Sequence, residues 1–242
     1  MYRYDHLDLE WETKELVLPG IGIKLDVPPR ARICHLGQSN QFDWEKENSA
    51  GICVPQPNFK TGGYDFIIAR KKDLEPAFYD TFVMGHEEGH LLNYIGGLEI
   101  LYDQSKHLGL EFPFMNIFDL KKSDESAKKI HQKRYNHQDF ARVWKKDNLL
   151  KESLADVAGL VTLIKQEFPD KMVEIIRKEV EQRSLKPLEK LFDMPEYTYA
   201  QGKRKSVIQS IEPKSTKLKT DLSNLENGNL IQISDYLRKR KD

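Results

Sequence analysis

His86 and His90 stand four residues apart in the stretch His86-Glu87-Glu88-Gly89-His90. On an α-helix that spacing puts both imidazoles on one face, one turn apart, where they can offer nitrogens to a single ion. Glu87 follows the first histidine and is placed to reach a water on that ion rather than the ion itself. A zinc ion with three protein ligands keeps one position open, and the pKa of its bound water falls to about 7. That water is a nucleophile at neutral pH, with Glu87 as its general base. The chemistry expected is therefore hydrolytic, with Zn2+ as cofactor.

A third protein ligand is needed. A histidine six residues after His90 would mark a metzincin, but position 96 is Gly96, which excludes that type. Glu99, Asp103, His107 and Glu111 lie nearest in sequence without a clear local pattern. Glu152 lies 62 residues beyond His90 in Glu152-Ser153-Leu154-Ala155-Asp156-Val157-Ala158-Gly159, which reads E-x-x-A-D-x-x-G. Two exposed helix carboxylates paired with Lys151 or Lys165 would be the mundane account of Glu152 and Asp156.

With the histidine motif before it, this second motif resembles the gluzincins, zinc metallopeptidases whose third ligand is a glutamate on a later helix. Thermolysin-like enzymes carry a close variant, HtpX-like membrane proteases carry the E-x-x-A-D form, and ImmA/IrrE-like proteins share the two-helix plan. The resemblance covers about a fifth of the chain and places it in no subfamily. It implies Glu152 as third ligand and Asp156 as hydrogen-bond partner of a ligand histidine, with His86 first. An imidazole bound to metal ordinarily donates its other N–H to such a group, which agrees. Gluzincins also use a Tyr, His or Arg to stabilise the oxyanion. Tyr135 and His137 are the first candidates here, then Tyr197 and Tyr199, with no motif singling any of them out. His6, His35, His107 and His131 read as surface or packing residues.

These side chains need a scaffold. The 242 residues suffice for one sizeable domain with a tail, and 39% hydrophobic with 31% charged residues describe an ordinary solvated surface. Net charge is zero, so no overall field points to nucleic acid or membrane. No apolar run reaches membrane-spanning length, and the acidic start does not read as a signal peptide. A cytoplasmic protein is expected, with Cys34 and Cys53 as reduced, half-buried thiols rather than a disulfide.

Strand signals dominate up to about residue 72. Leu16 to Leu18 lead to a Pro19-Gly20 turn, followed by Ile21 to Val27 and by Arg32 to Leu36. Gln38 to Thr61 reads as a long loop. Tyr64 to Ala69 is the strongest strand, either bordering the cleft and pairing with an extended substrate or simply buried in the core. The metal helix is expected over 74–95, opened by Asp73, Pro76 or Asp80, with an apolar face and an end at Gly96-Gly97. Helices are further expected over 98–106, 138–146, about 149–165 and from 169 or 170. Phe112, Phe114, Ile117 and Phe118 read as anchors, and the charged run from Lys121 to Arg134 as exposed or mobile. Ala155 and Gly159 would let the Glu152 helix approach another closely. The segment 185–192 closes the compact part.

The chain is thus read as an α+β, zincin-like domain over 1–195: a small twisted N-terminal sheet, an active-site helix and a second ligand-bearing helix. A basic C-terminal extension over 196–242 follows. Residues 201–242 hold ten Lys or Arg against five Asp or Glu. The extension is expected to be solvated or to touch an acidic protein or nucleic acid. The expected activity is hydrolysis of peptide bonds in a peptide or protein substrate. The competing expectation is a regulatory or binding protein on the same scaffold with a structural or vestigial metal site.

Overall fold

The computed structural model describes residues 9–42, 44, 49–75, 77–139 and 148–184. Pro76, most of the helix expected over 138–146, residues 185–192, Tyr197, Tyr199, His6 and the extension from 196 lie outside them.

The architecture is mixed α+β. Strands β1 (Glu15–Leu18) and β2 (Ile23–Asp26) form an antiparallel hairpin around the Pro19–Gly22 turn. Strands β3 (Ala31–Ser39), β4 (Gly51–Asn58) and β5 (Gly63–Lys71) form a second sheet in the order β3-β5-β4. β3 runs parallel to β5, and β4 antiparallel to it. Helices α1 (Ala77–Ile95), α2 (Leu98–His107), α3 (Ile117–His131), α4 (Asn148–Lys165) and α5 (Asp170–Ser184) follow. No helix among the described residues is long and apolar enough to cross a membrane.

In the sheet one expectation is corrected and one pair of alternatives is decided. The stretch expected as a loop from Gln38 to Thr61 contains β4, whose Pro55 and Pro57 disguise it. Proline cannot complete an interior ladder but is tolerated at a sheet edge, which is where β4 lies. β5 is the central strand, hydrogen-bonded on both sides and buried from Gly63 to Ala69. It has no free edge for a substrate, so it is the core strand and not the cleft border.

One apolar core runs from Leu16 on the hairpin to Val180 on α5, and a smaller cluster around Phe42, Ile52, Ile67 and Ala69 fills the other face of the sheet. α1 is the centre of the larger core. Instead of one apolar face it is buried on every side from Gly85 to Ile95, with its polar motif inside. It ends as expected: Gly96 adopts φ 84°, and the N–H groups of Gly96 and Gly97 both donate to the Leu92 carbonyl.

The charged run from Lys121 to Arg134 is largely α3. Leu120, Asp124, Ala127 and His131 recur at helical spacing and are buried, while the intervening lysines and serines face water. Asp124 accepts the backbone N–H groups of Leu98 and Glu99 at 2.9 Å each, capping α2 from a neighbouring helix. Asn116 caps α3 itself by accepting from the Phe118 N–H.

Candidate metal centre

α1 and α4 meet over small residues. A Cβ added at Gly89 would lie 2.8 Å from the Ala155 Cα and 2.7 Å from the Ala158 Cβ, so only hydrogen fits there. Gly159 gives the same clearance to the Phe82 ring. This close approach carries Glu152 and Asp156 of α4 across to the histidines of α1.

His86 Nε2 and His90 Nε2 are 3.0 Å apart. Glu152 Oε2 lies 3.4 Å from the first and 3.5 Å from the second. Two ligand atoms bound tetrahedrally at zinc distances are about 3.4 Å apart, so the three atoms stand at the separations a small divalent ion requires. Among the described residues this is the one group of three or more His, Cys, Asp or Glu side chains that could share an ion. Glu99 instead pairs with Lys121 at 3.0 Å.

His86 Nδ1 lies 3.1 Å from Asp156 Oδ1, which leaves Nε2 for the cluster. His90 Nδ1 is buried without a partner among the described residues. Burial opposes a charge on His86, yet hydrogen bonds and charge from Asp156 and Glu152 outweigh it and push its pKa up to about 10. Burial likewise opposes ionisation of Glu152, but the two imidazoles hold it well below the ordinary carboxylate range. The cluster, with both histidines buried and Glu152 half-buried, thus favours positive charge.

Glu87 is also buried, and its Oε2 has no hydrogen-bond partner among the described residues. An unpaired buried carboxylate oxygen costs about 1–3 kcal/mol, which marks a group kept for something other than stability. Gly51, on edge strand β4, makes room for it: a Cβ there would meet the Glu87 Cγ at 2.7 Å. The neighbouring Glu88 turns to the other side of α1.

Lys151 and Lys165 do not serve as surface partners of Glu152 and Asp156. Lys165 donates to the Ile21 carbonyl, and Lys151 is buried with Nζ 5.9 Å from the Tyr94 ring centroid. That ring in turn stacks on the His90 ring at 6.4 Å. A lysine next to a glutamate carries no local signal of such burial.

Among the described residues, Tyr135 and His137 make their contacts at the sheet and with each other, and none of these contacts is with His86, His90 or Glu152. Tyr135 donates its N–H to the Gly62 carbonyl, packs on Phe59 and Tyr64, and has its hydroxyl 3.2 Å from His137 Nδ1. Both sit at the β4–β5 turn, whereas Glu87 faces Gly51 at the other end of β4. His131 is a packing residue, buried between Tyr64 and Phe66, with Nε2–H donating to the Tyr94 carbonyl.

Compared with protein-family models, with curated proteins and with solved structures, the chain matches none.

Proposed function

We propose that the protein is a zinc-dependent metallopeptidase of gluzincin type on a zincin-like fold. The observation that carries this reading is the convergence of His86, His90 and Glu152 at 3.0, 3.4 and 3.5 Å, next to a buried Glu87 whose Oε2 has no hydrogen-bond partner among the described residues. Two imidazoles and one carboxylate are the donor set of a catalytic rather than a structural zinc site, because a fourth position stays open. Zinc bound there would acidify a water and polarise a substrate carbonyl.

The chain's own residues supply the rest. Glu87 takes the proton from the attacking water and returns it to the departing amine. Asp156 holds the proton of His86 on Nδ1 and so keeps Nε2 as the ligand atom. The burial of α1 excludes bulk water, which strengthens each of these interactions. Edge strand β4 near Gly51, close to Glu87 and ahead of Pro55 and Pro57 with their missing N–H groups, takes the place of β5 as the strand suited to hold an extended peptide. The substrate class is a peptide or protein, and the reading includes a cytoplasmic location.

The test joins metal content to turnover. Purified wild type should carry about one zinc per chain, Glu152→Ala should lose it, and Glu87→Gln should keep it. Wild type should cleave members of a quenched-fluorescence peptide library that Glu87→Gln leaves intact. Cleavage surviving in Glu87→Gln, or the absence of zinc from wild type, would overturn the peptidase reading. Full biological function of Glu87→Gln would favour a regulatory protein on this scaffold.

A further inference from the structure

The motif His86-Glu87-Glu88-Gly89-His90 carries two glutamates, and the hydrolytic chemistry uses only the first. Glu88 is 0% exposed, which for an ionisable side chain demands an account. At 100° per residue it points about 180° away from the midpoint of His86 and His90, so it does not reach the ion.

Its partners are backbone groups far away in sequence. Oε1 accepts the Gly20 N–H at 2.9 Å and Oε2 the Ile21 N–H at 2.7 Å. His35 Nε2, on β3, lies 3.2 Å from Oε1 and donates to it when that nitrogen carries the ring proton. A Cβ at Gly20 would stand 2.7 Å from Glu88 Oε2, so the turn has glycine where the carboxylate presses in. The same turn is held from the other ligand helix. Lys165, the last residue of α4, donates Nζ–H to the Ile21 carbonyl at 2.6 Å. Successive backbone groups of one four-residue turn are therefore bound by α1 and by α4.

We propose that Glu88 is a positioning residue of the metal centre. By gripping the Pro19–Gly22 turn, which Lys165 grips from α4, it fixes how far α1 slides along α4 and keeps Glu152 in reach of both histidines. The inference rests on the zinc reading above. The Gly89–Ala155 contact sets how close the two helices stand, and the clasp adds directional hydrogen bonds against sliding. The tolerance is small: one residue of helix is 1.5 Å of rise, whereas ligand distances in a metal site hold to about 0.2 Å.

The experiment measures metal affinity and site geometry in the whole protein, well below each variant's unfolding temperature. Zn2+ affinity comes from competition with a chromophoric chelator, and geometry from the visible bands of the Co2+ form. Glu88→Gln should bind Zn2+ about 10- to 100-fold more weakly with altered Co2+ bands, the range seen when outer partners of ligands are removed. Lys165→Met and Gly20→Ala should shift both readouts in the same direction by less. Asp124→Asn, which weakens the α2 cap and leaves the Pro19–Gly22 turn with its Glu88 and Lys165 bonds in place, should lower stability and leave affinity and bands at wild-type values.

Unchanged affinity and Co2+ bands in Glu88→Gln, with only stability reduced, would overturn the inference while leaving the metal site standing. An equal affinity loss in Asp124→Asn would also overturn it. If Glu88→Gln does not fold, Lys165→Met and Gly20→Ala decide, and wild-type affinity in both overturns it. Failure of the wild type to bind Zn2+ or Co2+ would overturn the zinc reading and this one together.

Discussion

Asp156 Oδ1 stands 3.1 Å from His86 Nδ1, although 70 residues separate them in the chain. The carboxylate selects which imidazole nitrogen is left for an ion and orients the ring. Asp156→Ala should therefore weaken Zn2+ binding about 10- to 100-fold, whereas Tyr135→Phe, at the far end of the sheet, should leave it unchanged. Chelator competition on the purified variants measures both. Equal effects from the two would argue that His86 is held by something other than Asp156.

Gly89→Ala is expected to lower stability by about 1–3 kcal/mol despite alanine's better helix propensity, because the new methyl meets the Ala155 backbone at 2.8 Å and cannot be relieved by a side-chain rotation. Pushing α4 away also pulls Glu152 from the histidines, so zinc affinity should fall with it. Urea denaturation with and without Zn2+ reads both effects. A variant as stable as wild type would mean the helices pack less tightly than these distances imply.

The two cysteines should be reduced and slow to react. Cys34 pairs with Ile67 and Cys53 with Ile68 on opposite sides of β5, so two strand spacings, about 9.6 Å, separate them, beyond the reach of a disulfide. Both are fully buried rather than half-buried, at 2% and 0% exposure. Burial first, then the charges of Glu10 and Glu12, pushes the Cys34 thiol up to about 11. An aromatic disulfide reagent at about pH 8 should label neither cysteine in the native protein and both after unfolding without reductant.

His131 should make stability fall on acidification. Burial lowers its pKa below the ordinary 6.5, despite the hydrogen bond to the Tyr94 carbonyl. Below that value the unfolded chain takes up a proton that the folded chain refuses, so the stabilisation is complete above about pH 6.5 and is lost as pH falls through the window beneath it. Melting temperature measured from about pH 7.5 to about 5.5 should drop less steeply for His131→Gln than for wild type. Parallel curves would show that His131 titrates alike in both states.

Much of this protein is legible in short stretches of its sequence. The four-residue spacing of His86 and His90, the small residues Ala155 and Gly159 beside Glu152 and the Gly96-Gly97 stop are local patterns. A helix repeats within a few residues, so those patterns state which side chains share a face. The charged run of α3 hid the same signal, since Leu120, Asp124, Ala127 and His131, the residues it buries, are spread singly among charged ones.

What only the tertiary structure decided are relations between segments distant in the chain. β4 is a strand because an edge position excuses its prolines, and β5 is central because β3 and β4 flank it. Glu88 finds its partners at Gly20 and Ile21, Asp124 caps a helix 25 residues before it, and Tyr135 sits with Gly62. Hydrogen bonds and close packing across such separations leave no period in the sequence. They exist only once the chain has folded around α1.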